Sequence, residues 1–67
     1  MLKIDIEKLL LERAIQELTL EELSKRSGVG RSTISRIERG ESKGRINTIA
    51  KIVKGLGKTI EDFRIKE

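Results

Sequence analysis

"TLEELSKRSGVGRSTISRIERG", Thr19 to Gly40, is the stretch on which the reading of this chain turns. Thr19 and Glu22 have the spacing of a capping box, so a helix should begin at Leu20. Leu23 and Ser27 continue its inner face. Gly28 supplies a left-handed or close-packed turn position, Val29 points back toward the core, and Gly30 serves as a tolerable N-cap. A next helix then spans about Arg31 to Arg39 and is closed by Gly40. Ile34 and Ile37 face inward. Arg31, Ser32, Ser35, Arg36 and Arg39 form a polar strip on the opposite side at helical spacing.

Two helices joined by about three residues that include glycine are the sequence form of a helix-turn-helix, here at about residues 20–39. The polar strip on its second helix has a chemistry suited to nucleic acid. An arginine fork can donate two hydrogen bonds to guanine O6 and N7, and serine can donate or accept at several base edges. The N–H groups at the start of that helix also suit phosphate. A solvated charged face is the plainer alternative.

Working outward, helical periodicity dominates. Before Thr19, the residues Leu2, Ile6 and Leu9 fall at spacings of four and three, with Leu10 and Ala14 widening the stripe. A further step of four from Leu9 lands on Arg13, a charge on the apolar face. After Gly40 comes the polar loop "GESKGR", Gly40 to Arg45. A fourth helix follows, with Ile46, Ile49, Ala50, Ile52, Val53 and Leu56 as its apolar stripe, and "GLGK" ends it. Thr59 with Asp62 forms a second N-cap pair, opening a short fifth helix through Phe63 toward Ile65. The expected fold is all-α, five compact helices in one domain over residues 1–67.

Composition agrees. The 67 residues include no Cys and no His, which excludes disulfides and the usual zinc sites. Pro is absent and Phe63 is the one aromatic, so Leu and Ile must fill a thin core, a mix that favours helices over sheet. Charge is unevenly placed. Residues 1–23 carry 3 basic and 6 acidic groups, whereas residues 24–58 carry 10 basic groups against Glu38 and Glu41. A basic middle is the electrostatic footprint expected for nucleic acid. No apolar run approaches the roughly 20 residues of a membrane span, and the start lacks a signal-peptide core, so a cytoplasmic location is expected. Catalysis is not expected: the chain lacks His, Cys and Tyr. Glu21, Glu22, Glu61 and Asp62 sit at helix starts, where they favour the helix dipole. No cofactor is expected.

The run "LTLEELSKRSGVGRSTISRIERGESKGRINTIAKIVKGLGKTIEDF" resembles the Cro/cI-type helix-turn-helix family, also called XRE-like or lambda-repressor-like. The likeness extends from about Leu9 to Phe63 and rests on Leu23, Gly28, Val29, Ile34, "IERG" at Ile37 to Gly40, and the "TIAKIVKGLGKTIEDF" tail. It implies a second helix lying across the DNA backbone and a third in the major groove. Carried over position by position, Arg31, Ser32, Ser35 and Arg36 match base-facing residues. Thr33, Arg39, Lys43, Arg45 and Asn47 match residues at or near backbone contacts. The family commonly joins the positions of Arg13 and Glu38 by a salt bridge between helices 1 and 3, which would satisfy the charge on the apolar stripe. This chain departs from the pattern at several points. Glu17 stands where glycine is frequent, Leu20 where glutamine is, and Ser24 where alanine is, with its hydroxyl expected to bond back to a helix carbonyl. Gly30 replaces a Ser or Thr cap, and Gly44 replaces a common proline.

The resemblance implies a transcriptional regulator, foremost a repressor, that binds a palindromic operator as a homodimer. The expected dimer surface is Leu56, Ile60, Phe63 and Ile65, although each of these could equally fill the chain's own core. The alternatives are a protein-interaction module that kept the fold, or an antitoxin with a protein partner. The three arginines of the polar strip weigh against a pure interaction module.

Overall fold

The computed structural model describes residues 3–65. Four α-helices follow one another: α1 (Ile6–Ile15), α2 (Leu20–Ser27), α3 (Arg31–Glu38) and α4 (Ile46–Gly55), and a single 3-10 turn stands at Ile60–Asp62. Each of the first two helices starts on a side-chain cap. The Asp5 carboxylate accepts from the Lys8 N–H at 3.1 Å at the head of α1. At α2 the box closes in both directions: Thr19 Oγ1 accepts from the Glu22 N–H at 3.1 Å, and Glu22 Oε1 accepts from the Thr19 N–H at 3.0 Å. The Thr19 N–H first, and the Thr19 side chain second, hold the Glu22 carboxyl below its ordinary pKa of 4.5.

The core takes one to three residues from each helix. Leu9 comes from α1, Leu23 from α2, Ile34 and Ile37 from α3, and Ile49, Ile52 and Val53 from α4. Leu18, Val29, Leu56 and Phe63 close it from the connections and the chain's end. α2 packs against both α3 and α4, and α1 packs against α3. The end of α1 is tied to the end of α4 by Gln16 Nε2, which donates to the Leu56 carbonyl at 2.8 Å. Between α1 and α2, Glu17 takes φ 55, so the left-handed turn for which the family often uses glycine is made here by a residue with a Cβ.

Two expectations need correction. No fifth α-helix forms among the described residues. Asp62 accepts from the Thr59 N–H at 2.8 Å and from its hydroxyl at 3.2 Å, but one 3-10 turn later the chain becomes extended. It pairs there with residues 3–5: Ile4 and Arg64 form an antiparallel bridge, the Asp5 N–H donates to the Phe63 carbonyl at 2.6 Å, and the Ile65 N–H donates to the Lys3 carbonyl at 2.9 Å. Backbone groups engaged in that pairing are not free to continue a helix. The apolar stripe of the first helix is also narrower than expected. Leu9 is buried and Ile6 partly so, but Leu10 and Ala14 are exposed. Leu2 lies outside the described residues.

Candidate nucleic-acid interface

The turn between α2 and α3 consists of Gly28, Val29 and Gly30. Gly28 takes φ 74 and sends its N–H to the Ser24 carbonyl at 2.8 Å. A Cβ on Gly28 would meet open space, so the need for glycine is conformational and not one of packing. Val29 is buried, and its backbone is held at both ends. Its carbonyl accepts from Ser24 Oγ at 2.6 Å, and its N–H donates to Ser27 Oγ at 3.2 Å. Ser24 therefore bonds forward across the turn and not back into its own helix. A small alanine at that position could not make this brace.

α3 is fixed in roll by its apolar side and by its last residue. Ile34 and Ile37 are wholly buried. Glu38 meets Arg13 of α1 in a two-point contact: Nε donates to Oε2 at 2.7 Å and Nη2 to Oε1 at 3.0 Å. Arg13 Nη1 also donates to the Leu18 carbonyl at 2.9 Å. One guanidinium thus joins α1, the start of the α2 segment and the end of α3, and it is mostly shielded, with 19% of the arginine side chain and 7% of the glutamate side chain exposed.

With that side held inward, Arg31, Ser32, Thr33 and Arg36 are exposed and Ser35 is half-buried on the outward face. Arg31, Ser32, Ser35, Arg36 and Arg39 line an open groove together with Thr19, Leu20 and Glu21 at the head of α2. Among the described residues, neither Arg31 nor Arg36 meets an acceptor, whereas Arg39 is held by Glu41 at 3.0 Å. Thr33, Lys43, Arg45 and Asn47 are exposed but do not line this groove.

The helix starts differ in a telling way. α1 and α2 carry side-chain caps, whereas Gly30 and Arg45, the N-caps of α3 and α4, provide none. The first N–H groups of those two helices are therefore left for outside acceptors, next to the basic residues of the chain's middle. The loop joining α3 to α4 is shaped by Gly44 at φ 70, a backbone that proline cannot take. A Cβ there would lie 2.9 Å from Ile37 Cδ1.

The expected dimer surface is divided. Leu56 and Phe63 are buried in the chain's own core and are unavailable to a partner, which corrects that part of the expectation. They are needed inside because the helices are short and Phe63 is the largest apolar side chain available. Ile60 is partly buried and Ile65 is 43% exposed. Ile65 lines a mostly apolar groove with Ile4, Ile6, Ile46 and Ile49, rimmed by Lys3 and Lys43. The head of α2 also joins the reading face, where Thr19 and Glu21 line the groove with no local sequence signal to mark them. Among the described residues no cluster of His, Cys, Asp or Glu could hold a metal ion, and no helix is long and apolar enough to cross a membrane.

Comparison with known proteins agrees with this architecture. The profile of the helix-turn-helix family matches residues 9–63. An uncharacterized HTH-type transcriptional regulator of Methanocaldococcus jannaschii is 43% identical over 60 residues, covering 90% of this chain and 91% of that protein. No solved structure gives a significant match. The match runs from within α1 through α4 and includes the turn at Gly28 and the Arg13–Glu38 clasp, and the chain belongs to the XRE-like helix-turn-helix family.

Proposed function

We propose that the chain is a sequence-specific regulator of transcription that binds double-stranded DNA, with α3 in the major groove and the head of α2 on the backbone. The observation that carries this is the pair Arg31 and Arg36, two guanidinium forks without an acceptor among the described residues, on a helix whose opposite face is locked. Such forks suit guanine edges or phosphates. Ser32 and Ser35 stand between them as short donors and acceptors. Thr33, Arg39, Lys43, Arg45 and Asn47 supply backbone contacts around that center, aided by the uncapped N–H groups of α3 and α4. Arg39 must exchange Glu41 for phosphate to take part. The Methanocaldococcus relative, described as an HTH-type transcriptional regulator, supports the same role.

The regulator acts as a repressor by occupying a palindromic operator as a homodimer, each α3 reading one half-site about one helical turn from the other. Ile65, with Ile46 in the same apolar groove, is the surface left for pairing once Leu56 and Phe63 are assigned to the core, and Ile60 keeps a partly exposed side chain. Selection from random duplex DNA at two salt concentrations tests this reading. Enrichment of an inverted repeat supports it. Weak binding with a steep salt dependence and no enriched site reduces the function to phosphate contact. Absence of binding favours an interaction module.

A further inference from the structure

We propose that the outward face of α1 is a docking surface for a partner segment that carries an apolar helix face bracketed by lysine or arginine. α1 is apolar on two sides. Its inner side buries Leu9 and places Arg13 against Glu38. Its outer side presents Leu10, Leu11 and Ile15, which are 39%, 57% and 65% exposed, with exposed Ala14 among them. Leu11 and Ile15 are one turn apart, as are Leu10 and Ala14, and the two pairs adjoin. Scattered exposed leucines are ordinary, but a cluster covering two turns of one helix marks an interaction surface. Nothing already described covers it. No α1 residue lines the groove between α2 and α3, and none of these four lines the apolar groove beside Ile65.

Charge identifies the occupant. Glu7 is exposed on the same face, one turn before Leu11, and Glu17 is exposed just past the helix's C-terminal end. Among the described residues neither carboxylate has a cationic partner. They stand on either side of the apolar cluster along the chain, Glu7 within α1 and Glu17 in the turn after it. A second copy packed here about a two-fold axis would set like against like. Antiparallel helices bring Glu7 toward Glu17 of the other copy, and parallel helices bring Glu7 toward Glu7. Both arrangements are penalised. Lys8, also exposed, stands at the margin, two turns before Ile15. A partner helix with apolar residues between two cations satisfies both carboxylates and the cluster at once, in the manner of helix-to-helix recognition.

Two synthetic helical peptides about four turns long, with the same leucine face and either lysine or glutamate at both ends, test this by amide chemical-shift titration of the whole isotope-labelled chain. The lysine peptide is expected to move the amides of Leu10 to Ile15 and leave those of Arg31 to Glu38 in place. The double variant Leu11→Gln/Ile15→Gln should weaken that binding about ten-fold or more, with melting and DNA binding unchanged because both side chains are exposed and outside the reading groove. Glu7→Lys/Glu17→Lys should transfer the preference to the glutamate peptide. Equal response to both peptides, or no response in α1, overturns the proposal. So does self-association in sedimentation that the Leu11→Gln/Ile15→Gln variant abolishes, since a second copy would then be the occupant. DNA binding by the unaltered chain is scored separately, so failure here leaves the reading of α3 untouched.

Discussion

Arg13 and Glu38, 25 positions apart, are held by two hydrogen bonds of 2.7 and 3.0 Å, and this contact sets the roll of the helix that carries Arg31 and Arg36. A charge on the inner stripe of α1 would be costly alone. Paired with the last residue of α3, it becomes a clasp between the scaffold and the reading face. Glu38→Ala should leave the arginine without its carboxylate and cost about 3 kcal/mol, the lower end for a buried pair because part of Arg13 reaches solvent. Replacing both, as Arg13→Met with Glu38→Leu, should recover most of that loss. Urea unfolding of the two variants checks the pattern. Equal losses in the single and double variants would show that the arginine left without its carboxylate is not what destabilises the single variant.

Glu17 offers a test of backbone strain. At φ 55 it is the one non-glycine residue with positive φ among the described residues. The left-handed conformation costs an L-residue about 1–2 kcal/mol, partly offset by the unfolded-state entropy that glycine would add. Glu17→Gly should therefore raise stability by about 0.5–1 kcal/mol, while Glu17→Val should lower it. Thermal melts read both.

Gly44 combines positive φ with a close neighbour. At φ 70, and with a Cβ position 2.9 Å from Ile37 Cδ1, Gly44→Ala should destabilise by about 1–3 kcal/mol. Gly44→Pro should be worse, because its fixed negative φ cannot be accommodated. Denaturant midpoints for the two variants, with the slopes unchanged, are the measurement.

The acid limb of stability has a defined source. Glu22 is held below its ordinary pKa of 4.5, chiefly by the Thr19 N–H, and Asp62 below its ordinary 3.8, chiefly by the Thr59 N–H. A carboxylate with a depressed folded-state pKa contributes stability above the unfolded value, and that contribution is lost as pH falls through the folded value. Stability should therefore decline below about pH 4.5 as the two carboxylates take up protons. Glu22→Gln and Asp62→Asn should flatten that decline in melts recorded across the range. An unchanged slope in both would place the acid sensitivity elsewhere.

Much of this architecture is legible in the sequence, and the exceptions have physical causes. The Thr19–Glu22 box, the glycine between α2 and α3, and the inward Ile34 and Ile37 are local signals, each legible within a turn or two. The outward strip from Arg31 to Arg36 follows from the same spacing. The pairing of residues 3–5 with residues 63–65 joins the two ends of the described chain, and no local pattern announces it. It is also why the last segment is extended where a helix is expected. Leu10 and Ala14 mislead because α1 is apolar on both faces, so periodicity cannot say which face is buried. The Ser24 hydroxyl reaches Val29 only because of the turn that Gly28 makes. The place of Glu21 beside the arginines depends on how α2 crosses α3, which is tertiary geometry.

The most direct measurement of the proposed readout takes the selected duplex, substitutes each base pair in turn, and compares binding by the unaltered chain and by Arg36→Ala. Direct readout predicts that one base pair per half-site loses its discrimination in the variant, by about 1–3 kcal/mol, while the others keep theirs. A uniform loss at every position, with a shallower salt dependence, would make Arg36 a phosphate ligand and contradict its place at a base edge.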